Sequence, residues 1–358
     1  MTEKTNDTAA AIRKNGIATE SNGGDKTGAE RPASPPFSWG NNRRFNAYSD
    51  FLRKQYGFRL QKLSVNAGFS CPNRDGSKGR GGCVFCNNSA FNPSYCEPGK
   101  PIRNQLEEGK EFHAWRYRKS LKYIAYFQAF SNTYAPLEVL KKRYEEALSI
   151  SDVVGLSIGT RPDCVNEEIL DYLARLSEKH FVHLEMGIES CYDKSLQWMN
   201  RKHDFECARR AFAMAAERGI STGTHLIFGL PSQSREEDLR QADIISELPL
   251  QTLKLHQLQI IKDTSLEKEY ALNPSKFHFF KIEEYIDFVI DFLERLSPSI
   301  CMERFSGEAP PRFQAGPTFG MIRADKVLQI IEKRLEEHDT WQGKLRPREN
   351  SVIFANSF

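Results

Sequence analysis

The chain has 358 residues, of which 39% are hydrophobic, so it is long enough to bury the core of one large domain or of two ordinary ones. Its most apolar stretches, such as residues 285–296, are interrupted by charges, which excludes a membrane span of roughly 20 apolar residues. A formal net charge of +3 is too small to indicate nucleic-acid binding by itself. Eight cysteines in such a chain exclude a small disulfide scaffold, and three of them lie within sixteen residues, which favours metal binding.

Residues 1–36 are rich in Thr, Ala, Gly, Asn and charged residues and hold almost no large apolar side chain. Such a segment cannot bury enough surface to offset its ordering entropy, so we predict that it is disordered. It lacks the apolar centre of a secretory signal and carries acids that a mitochondrial transit peptide avoids. We therefore expect a cytoplasmic protein with no membrane partner.

From Phe37 onward the composition is globular, and short β-branched or aromatic runs alternate with helical patterns. The predicted strands are residues 62–67, 123–129, 153–159, 181–188, 221–228 and 252–260. Apolar side chains recur at helical spacing between them, Gly219 marks one helix end, and Ser234 to Glu237 has the spacing of a capping box.

This alternation predicts a parallel sheet covered by helices. We favour a partial (β/α)6 TIM-type barrel over residues 37–265, with a doubly wound open sheet as the alternative. In either fold the ligand site lies at the carboxyl ends of the strands. Residues 266–358 are predicted to form a mostly helical C-terminal extension packed on the barrel, with helices over 282–296 and 325–337.

The first predicted strand leads into a loop, residues 68–86, in which Cys71, Cys83 and Cys86 have the spacing C-x11-C-x2-C. Its five glycines permit tight turns that direct backbone amides at cluster sulfurs. A structural zinc site or an electron-transfer cluster normally takes four protein ligands, whereas three thiolates leave one iron of a 4Fe-4S cluster open. We predict such a cluster. The alternative is a zinc site with Cys96 or His113 as the fourth ligand.

This loop, KLSVNAGFSCPNRDG at 62–76, resembles the radical S-adenosylmethionine (SAM) superfamily and most closely its bacterial YhcC/YtqA family. The segments IGTRPD at 158–163, LEMGIES at 184–190, NRKH at 200–203 and HLIFGLP at 225–231 follow as in the branch that contains the catalytic subunit of elongator. The resemblance spans about residues 43–311. It implies a radical SAM barrel, a 4Fe-4S cluster and SAM as cofactors, and reductive cleavage of SAM, whose amino and carboxylate groups bind the open iron.

The resemblance also implies contacts with SAM near the strand ends. Relatives carry a G-G-E motif where this chain has FQAFSNT at 127–133, which leaves Gln128, Ser131 and Asn132 as polar contacts. Phe85, between the last two cysteines, and Arg161, in the IGTRPD segment, are further predicted cofactor-binding residues.

Glu185 interrupts an apolar strand, where a carboxylate is costly unless it is paired or functional. It contacts the ribose or methionine part of SAM, or it forms an ion pair with a neighbouring strand at Arg161, or both. Lys254, His256 and Gln257 on the sixth predicted strand are candidates for the opposite side of the cavity.

The activity that the resemblance implies is modification of the wobble uridine of transfer RNA, with a low-potential donor such as flavodoxin or ferredoxin supplying the electron. Residues 43–62 and 113–122 are basic with interleaved aromatics, which suits RNA binding or a solvated helix. No acetyltransferase domain or auxiliary cysteine set is evident, so acetyl transfer and sulfur insertion are not expected. A radical enzyme acting on a small molecule or protein and a zinc-stabilised RNA-binding module without catalysis stay open.

Overall fold

The computed structural model describes residues 37–114, 121–320 and 322–347. The predicted disordered tail, residues 1–36, and most of the second basic segment, residues 115–120, lie outside these ranges. Within the ranges no helix is long and apolar enough to cross a membrane.

Strands and helices alternate along the described chain. The strands are β1 (Leu60–Val65), β2 (Lys122–Phe127), β3 (Val153–Thr160), β4 (Phe181–Met186), β5 (Ser221–Phe228), β6 (Thr252–Gln257) and β7 (Cys301–Arg304). The helices are α1 (Tyr48–Tyr56), α2 (Ile102–Ala114), α3 (Leu137–Leu148), α4 (Glu167–Ser177), α5 (Asp193–Trp198), α6 (Phe205–Glu217), α7 (Arg235–Ser246), α8 (Ser265–Leu272), α9 (Ile282–Arg295) and α10 (Ala324–Glu337).

The strands form one parallel sheet in the order β1-β2-β3-β4-β5-β6-β7. The register places buried apolar residues side by side, as where Leu156 pairs with Ala125 and with Val182. Lys62 Nζ on β1 lies 2.8 Å from Glu303 Oε1 on β7, although these strands are at opposite edges of the sheet. The sheet is therefore curled. Sequential strand order and curling confirm the predicted partial TIM-type barrel, and the doubly wound alternative is wrong.

The seventh strand corrects the prediction of six. β7 is four residues long, with the sequence CMER, so it carries no alternating or β-branched signal. Its position depends on neighbours distant in sequence. It pairs with β6, and on its other side the Met302 amide donates to Asn46 O at 2.7 Å.

Local signals set the ends of several elements. The predicted capping box forms, because Ser234 Oγ accepts from the Glu237 amide at 3.2 Å and the Glu237 carboxylate accepts from the Ser234 amide at 2.9 Å. Gly219 closes α6 with φ +66°. The predicted second and fourth strands extend two residues beyond β2 and β4. Soon after β2 and β4 the chain passes through left-handed Phe130 (φ 61°) and Glu189 (φ 68°), which interrupt the regular strands.

The predicted C-terminal extension shares the core of the barrel. Phe288 and Phe292 of α9 stack edge-on against Phe228 of β5, with ring centroids 4.8 and 5.1 Å apart. Tyr285 is fully buried in the same core, and its hydroxyl donates to Phe305 O at 2.5 Å, just beyond β7. The division of the chain at residue 265 stays a prediction, but this packing links both parts.

We predict that the barrel and the C-terminal helices of the described chain unfold in one cooperative transition. Leu293→Ala in α9 removes a side chain of zero exposure and should lower the free energy of unfolding by about 2–5 kcal/mol in that same transition. Leu272→Ala at a 79% exposed position is the matched control and should change it by less than about 0.5 kcal/mol. Urea titrations followed by circular dichroism measure both. A second transition that Leu293→Ala shifts alone would contradict the shared core.

Candidate active site

A cavity of about 270 Å³ opens at the carboxyl ends of the strands. Its wall includes the cysteine loop, residues 68–86, and side chains in or directly after every strand from β2 to β7. This position agrees with the rule that parallel α/β barrels bind ligands at the carboxyl edge of the sheet. The cavity is therefore the candidate active site.

The three cysteines of the loop, Cys71, Cys83 and Cys86, all line this cavity and form no disulfide. Tight turns bring them there. The Gly82 amide donates to Asn73 O at 2.9 Å, and Gly82 has φ +81°, a conformation that favours glycine. The predicted grouping of the cysteines at the strand ends is thus present in the fold.

Hydrogen-bond donors surround the cysteine sulfurs. Cys83 Sγ lies 3.5 Å from Arg201 Nη1, 3.6 Å from Asn73 Nδ2 and 3.9 Å from Arg161 Nη1. Asn88 Nδ2 lies 3.7 Å from Cys86 Sγ. Arg201 Nε is buried without a partner in the described chain. Cationic and amide donors directed at thiolates fit an anionic iron–sulfur cluster.

The zinc alternative requires a fourth ligand beside the three loop cysteines. Of its two candidates, neither Cys96 nor His113 lines the cavity. Cys96 instead donates its thiol to Ser64 O at 3.1 Å. The positions of both candidates therefore disfavour a four-ligand zinc site.

Arg161, a predicted cofactor-binding residue, lines the cavity, but it does not pair with Glu185. Its guanidinium binds both carboxylate oxygens of Asp163, at 2.8 and 2.9 Å, and donates to Arg201 O at 2.6 Å. Burial alone would raise the pKa of Asp163, yet Arg161 holds it well below the usual range. The two bonds to Asp163 fix Arg161 beside the cysteine loop. The suggested pair between Arg161 and Glu185 is wrong.

Glu185 belongs to what we term the interior ion network, formed by Lys62, Glu185, Lys254 and Glu303. Glu185 Oε1 accepts from Lys62 Nζ at 2.5 Å and from Ser157 Oγ at 2.7 Å, and Oε2 pairs with Lys254 Nζ. Glu303 Oε1 lies 2.8 Å from Lys62 Nζ and 3.3 Å from Lys254 Nζ. Burial would raise the pKa of Glu185, but Lys254 and Lys62 hold it well below its usual range. The ion-pair interpretation of Glu185 therefore holds, with different partners.

The other predicted cofactor-binding residues divide into two groups. Phe85, Gln128 and Ser131 line the cavity, and the Gln128 amide donates to Ser64 Oγ at 3.0 Å and to Phe91 O at 3.1 Å. Asn132 does not line it. Its amide donates to Phe127 O at 3.1 Å and to Gly159 O at 2.8 Å, which joins the ends of β2 and β3.

The candidates on β6 divide in the same way. Lys254 and His256 line the cavity, whereas the Gln257 side chain bonds to both backbone groups of Gly307. Alternating side-chain direction along a strand accounts for the difference between His256 and Gln257.

Sequence reasoning missed a second polar cluster in the wall, formed by Glu189, Arg201 and His225. Glu189 Oε1 lies 3.5 Å from Arg201 Nη1, and Oε2 lies 3.3 Å from His225 Nδ1. Burial lowers the pKa of His225 although Glu189 opposes this. Arg201 and His225 belong to the NRKH and HLIFGLP segments, so the sequence offered a signal for these two residues. The strained φ of Glu189 is a property of the fold alone.

Comparisons with known proteins agree with this geometry. The model of the radical SAM superfamily matches residues 71–242, and that of the radical SAM C-terminal domain matches residues 250–337. The uncharacterized protein YtqA of Bacillus subtilis is 35% identical over 320 residues, covering 87% of this chain and 96% of that protein. YhcC of Escherichia coli is 34% identical over 290 residues, covering 79% of this chain and 92% of YhcC. The chain belongs to the radical SAM superfamily.

Two elongator proteins are more distant. The solved structure of archaeal Elp3 from Methanocaldococcus infernus has a TM-score of 0.60 and 15% identity, covering 79% of this chain and 64% of Elp3, and it supports the fold. Mouse Elongator complex protein 3 is 28% identical over 187 residues, which is 51% of this chain and 33% of the mouse protein. Radical SAM enzymes use a 4Fe-4S cluster and SAM, and the cluster supplies the electron that cleaves the carbon–sulfur bond of SAM.

We predict that anaerobically reconstituted protein binds about four irons per chain through the loop cysteines. Cys71→Ala, Cys83→Ala and Cys86→Ala should each lose this iron and its visible absorption, because each removes one thiolate ligand. Cys96→Ala is the control and should keep both, since its thiol points away from the cavity toward Ser64 O. Iron analysis and absorption spectra decide the matter. Stoichiometric zinc with no iron uptake in the wild-type protein would contradict it.

We predict that Glu185 stabilises the fold. Glu185→Gln leaves two buried ammonium groups with one carboxylate and should cost about 3–5 kcal/mol. In the double variant with Lys254→Met the loss should be smaller than the sum of the single losses. Because the folded-state pKa of Glu185 is depressed, its contribution is present above the unfolded value of about 4.3 and is lost as pH falls through the folded pKa.

Urea titrations at a series of pH values measure this contribution. Glu236→Gln, in the exposed pair with Arg240, is the matched control and should change stability little. Strictly additive losses in the Glu185 and Lys254 cycle would show that the network is not coupled.

Proposed function

We propose that this radical SAM enzyme modifies the wobble uridine of transfer RNA. The proposal starts from the similarity to elongator proteins, which covers about half of the chain. The observation that carries it is a basic rim beside the cavity, formed by Arg74, Arg80 and Lys202. Such a rim offers cations to a phosphate backbone while one base enters the cavity.

The basic rim is built by the cysteine loop and the NRKH segment. Arg74 lines the cavity, and its guanidinium lies 5.5 Å from the centre of the Phe130 ring. Arg80 belongs to the same loop and is exposed. Lys202 is exposed with φ 60°, and its side chain passes close to Gly79, because a Cβ there would lie 3.5 Å from Lys202 Cε. The three side chains are therefore presented around the loop that carries the cysteines.

The two segments predicted to bind RNA, residues 43–62 and 113–122, do not supply this rim in the described chain. Arg43 pairs there with Asp50 and Glu332, and Lys62 is inside the barrel. The exposed Arg53 and Lys54 of α1 precede β1, whereas the cysteine loop follows it, so the strand separates them by roughly 20 Å at 3.3 Å per residue. Three basic residues of the second segment, Arg116, Arg118 and Lys119, fall among residues 115–120, outside the described ranges.

In this proposal Cys71, Cys83 and Cys86 hold the 4Fe-4S cluster. Phe85 and Arg161 belong to the wall next to it and would contact SAM, together with Gln128 and Ser131 on the β2 side. Radical SAM enzymes require a reductant, and we infer a low-potential flavodoxin or ferredoxin.

Salt-dependent binding of transfer RNA tests the basic rim. The double variant Arg80→Ser with Lys202→Ser should bind transfer RNA more weakly, and the slope of log affinity against log salt should fall by about 2, or about 1 per lost phosphate contact. Arg53→Ser with Lys54→Ser removes the same charge from α1 and should change neither quantity. Filter binding at several salt concentrations measures both.

Nucleoside analysis tests the reaction itself. Transfer RNA from a deletion strain should lack one modified uridine that the wild-type gene restores and the Cys83→Ala gene does not. Identical nucleoside profiles in the deletion strain and its parent would refute the RNA proposal and leave the radical SAM assignment in place.

A further inference from the structure

Arg304, at the end of β7, differs from the other cationic side chains in the cavity wall. Arg74, Arg161, Arg201 and Lys254 each bind an acceptor of the protein. Arg304 is exposed to the cavity, and within the described ranges its guanidinium has no hydrogen bond or ion pair. A cation that lines a cavity without a partner is available to an anionic ligand.

A bulge directs this side chain into the cavity. In the register of β6 and β7, Leu253 pairs with Met302 and Lys254 with Arg304, so Glu303 is an extra residue. In a regular strand, neighbouring side chains point to opposite faces. Here Glu303 reaches Lys254 at 3.3 Å while Arg304 lines the cavity, so both face the barrel interior. Bulges beside active sites commonly re-aim a side chain in this way.

The chain that follows β7 is fixed against β6. Gln257 Oε1 accepts from the Gly307 amide at 2.9 Å, and Gln257 Nε2 donates to Gly307 O at 3.0 Å. A Cβ on Gly307 would lie 2.7 Å from His256 Nδ1, so a larger residue there would force His256 to shift. Arg304 thus projects from a supported strand, which is the arrangement that favours a preorganised binding residue.

His256 lines the same cavity. Burial lowers its pKa well below the usual range, and the positive charge of Arg304 acts in the same direction. His256 is therefore neutral near pH 7 and offers one hydrogen-bond donor without repelling Arg304. The carboxylates of the interior ion network pair with Lys62 and Lys254, and in the described chain neither of them pairs with the guanidinium of Arg304.

We propose that Arg304, together with His256, binds a phosphate group of the substrate. A planar guanidinium binds two phosphate oxygens at once, which fixes orientation as well as charge. The carboxylate of SAM is a poorer candidate, since the family resemblance assigns it to the open iron at the cysteine loop. That the phosphate belongs to a nucleotide rests on the proposed function, whereas the anion site itself does not.

Chemical modification of the reconstituted wild-type protein tests the site without any variant. Phenylglyoxal should modify Arg304, and inorganic phosphate or uridine 5'-monophosphate should protect it, as measured by peptide mass spectrometry. Acetate and SAM should not protect it. Arg312, which is exposed and outside the cavity wall, is the internal control and should react equally in every sample. Protection by SAM as strong as that by phosphate would assign Arg304 to the cofactor and overturn the proposal, as would failure of phosphate to protect.

Calorimetry with the mononucleotide gives a second measurement. Arg304→Gln should weaken the binding of uridine 5'-monophosphate by about 10- to 100-fold, the loss expected for a charge-assisted hydrogen bond. Arg312→Gln should leave it unchanged, and unchanged affinity in Arg304→Gln would overturn the proposal. Phosphate protection of Arg304 in a protein that binds no transfer RNA would support the subsite and refute only the RNA substrate.

Discussion

The barrel depends on the interior ion network. Buried charges are costly unless each is paired, and Lys62, Glu185, Lys254 and Glu303 meet this condition with two charges of each sign. They come from β1, β4, β6 and β7, so the pairing joins strands from both edges of the sheet across the interior. The network thus couples the curl of the sheet to a polar floor under the cavity, because Glu185 and Lys254 also line that cavity.

Polar residues in the cavity wall therefore fall into two groups. Some are paired inside the barrel and hold the fold, and others lie where they can act on ligands. Glu185 and Glu189 are both buried carboxylates in the wall, but they differ in setting. Glu185 has two ammonium partners inside the barrel, whereas Glu189 is at a left-handed position where β4 has ended and contacts Arg201, which reaches Cys83. Glu189 therefore orients Arg201, which donates to the cysteine loop. The strained backbone of Glu189 is retained because its amide and carbonyl bond to β5.

Sequence predicted those features that depend on local order. Strand and helix periodicity gave six of the strands, and close spacing identified Cys71, Cys83 and Cys86. The sequence could not predict which residues far apart in the chain become partners. Lys62 and Glu303 are 241 positions apart, and the composition around Lys62 suggested an exposed RNA-binding segment. Arg304 was missed for a related reason, because four residues without periodicity become a strand only when β6 and the segment at Asn46 flank them.

The hydrogen bonds that Glu185 already accepts limit what it could offer to SAM. A carboxylate offers about four acceptor positions, and Lys62, Ser157 and Lys254 already fill three. A ribose hydroxyl or methionine amino group would obtain at most the last one, in competition with two ammonium groups. Gln128 differs, because its amide nitrogen is bonded to Ser64 and Phe91 while no described residue donates to its Oε1. Its carbonyl oxygen is therefore open, and in the proposed site Gln128, directly after β2, would offer the cofactor a better acceptor than Glu185.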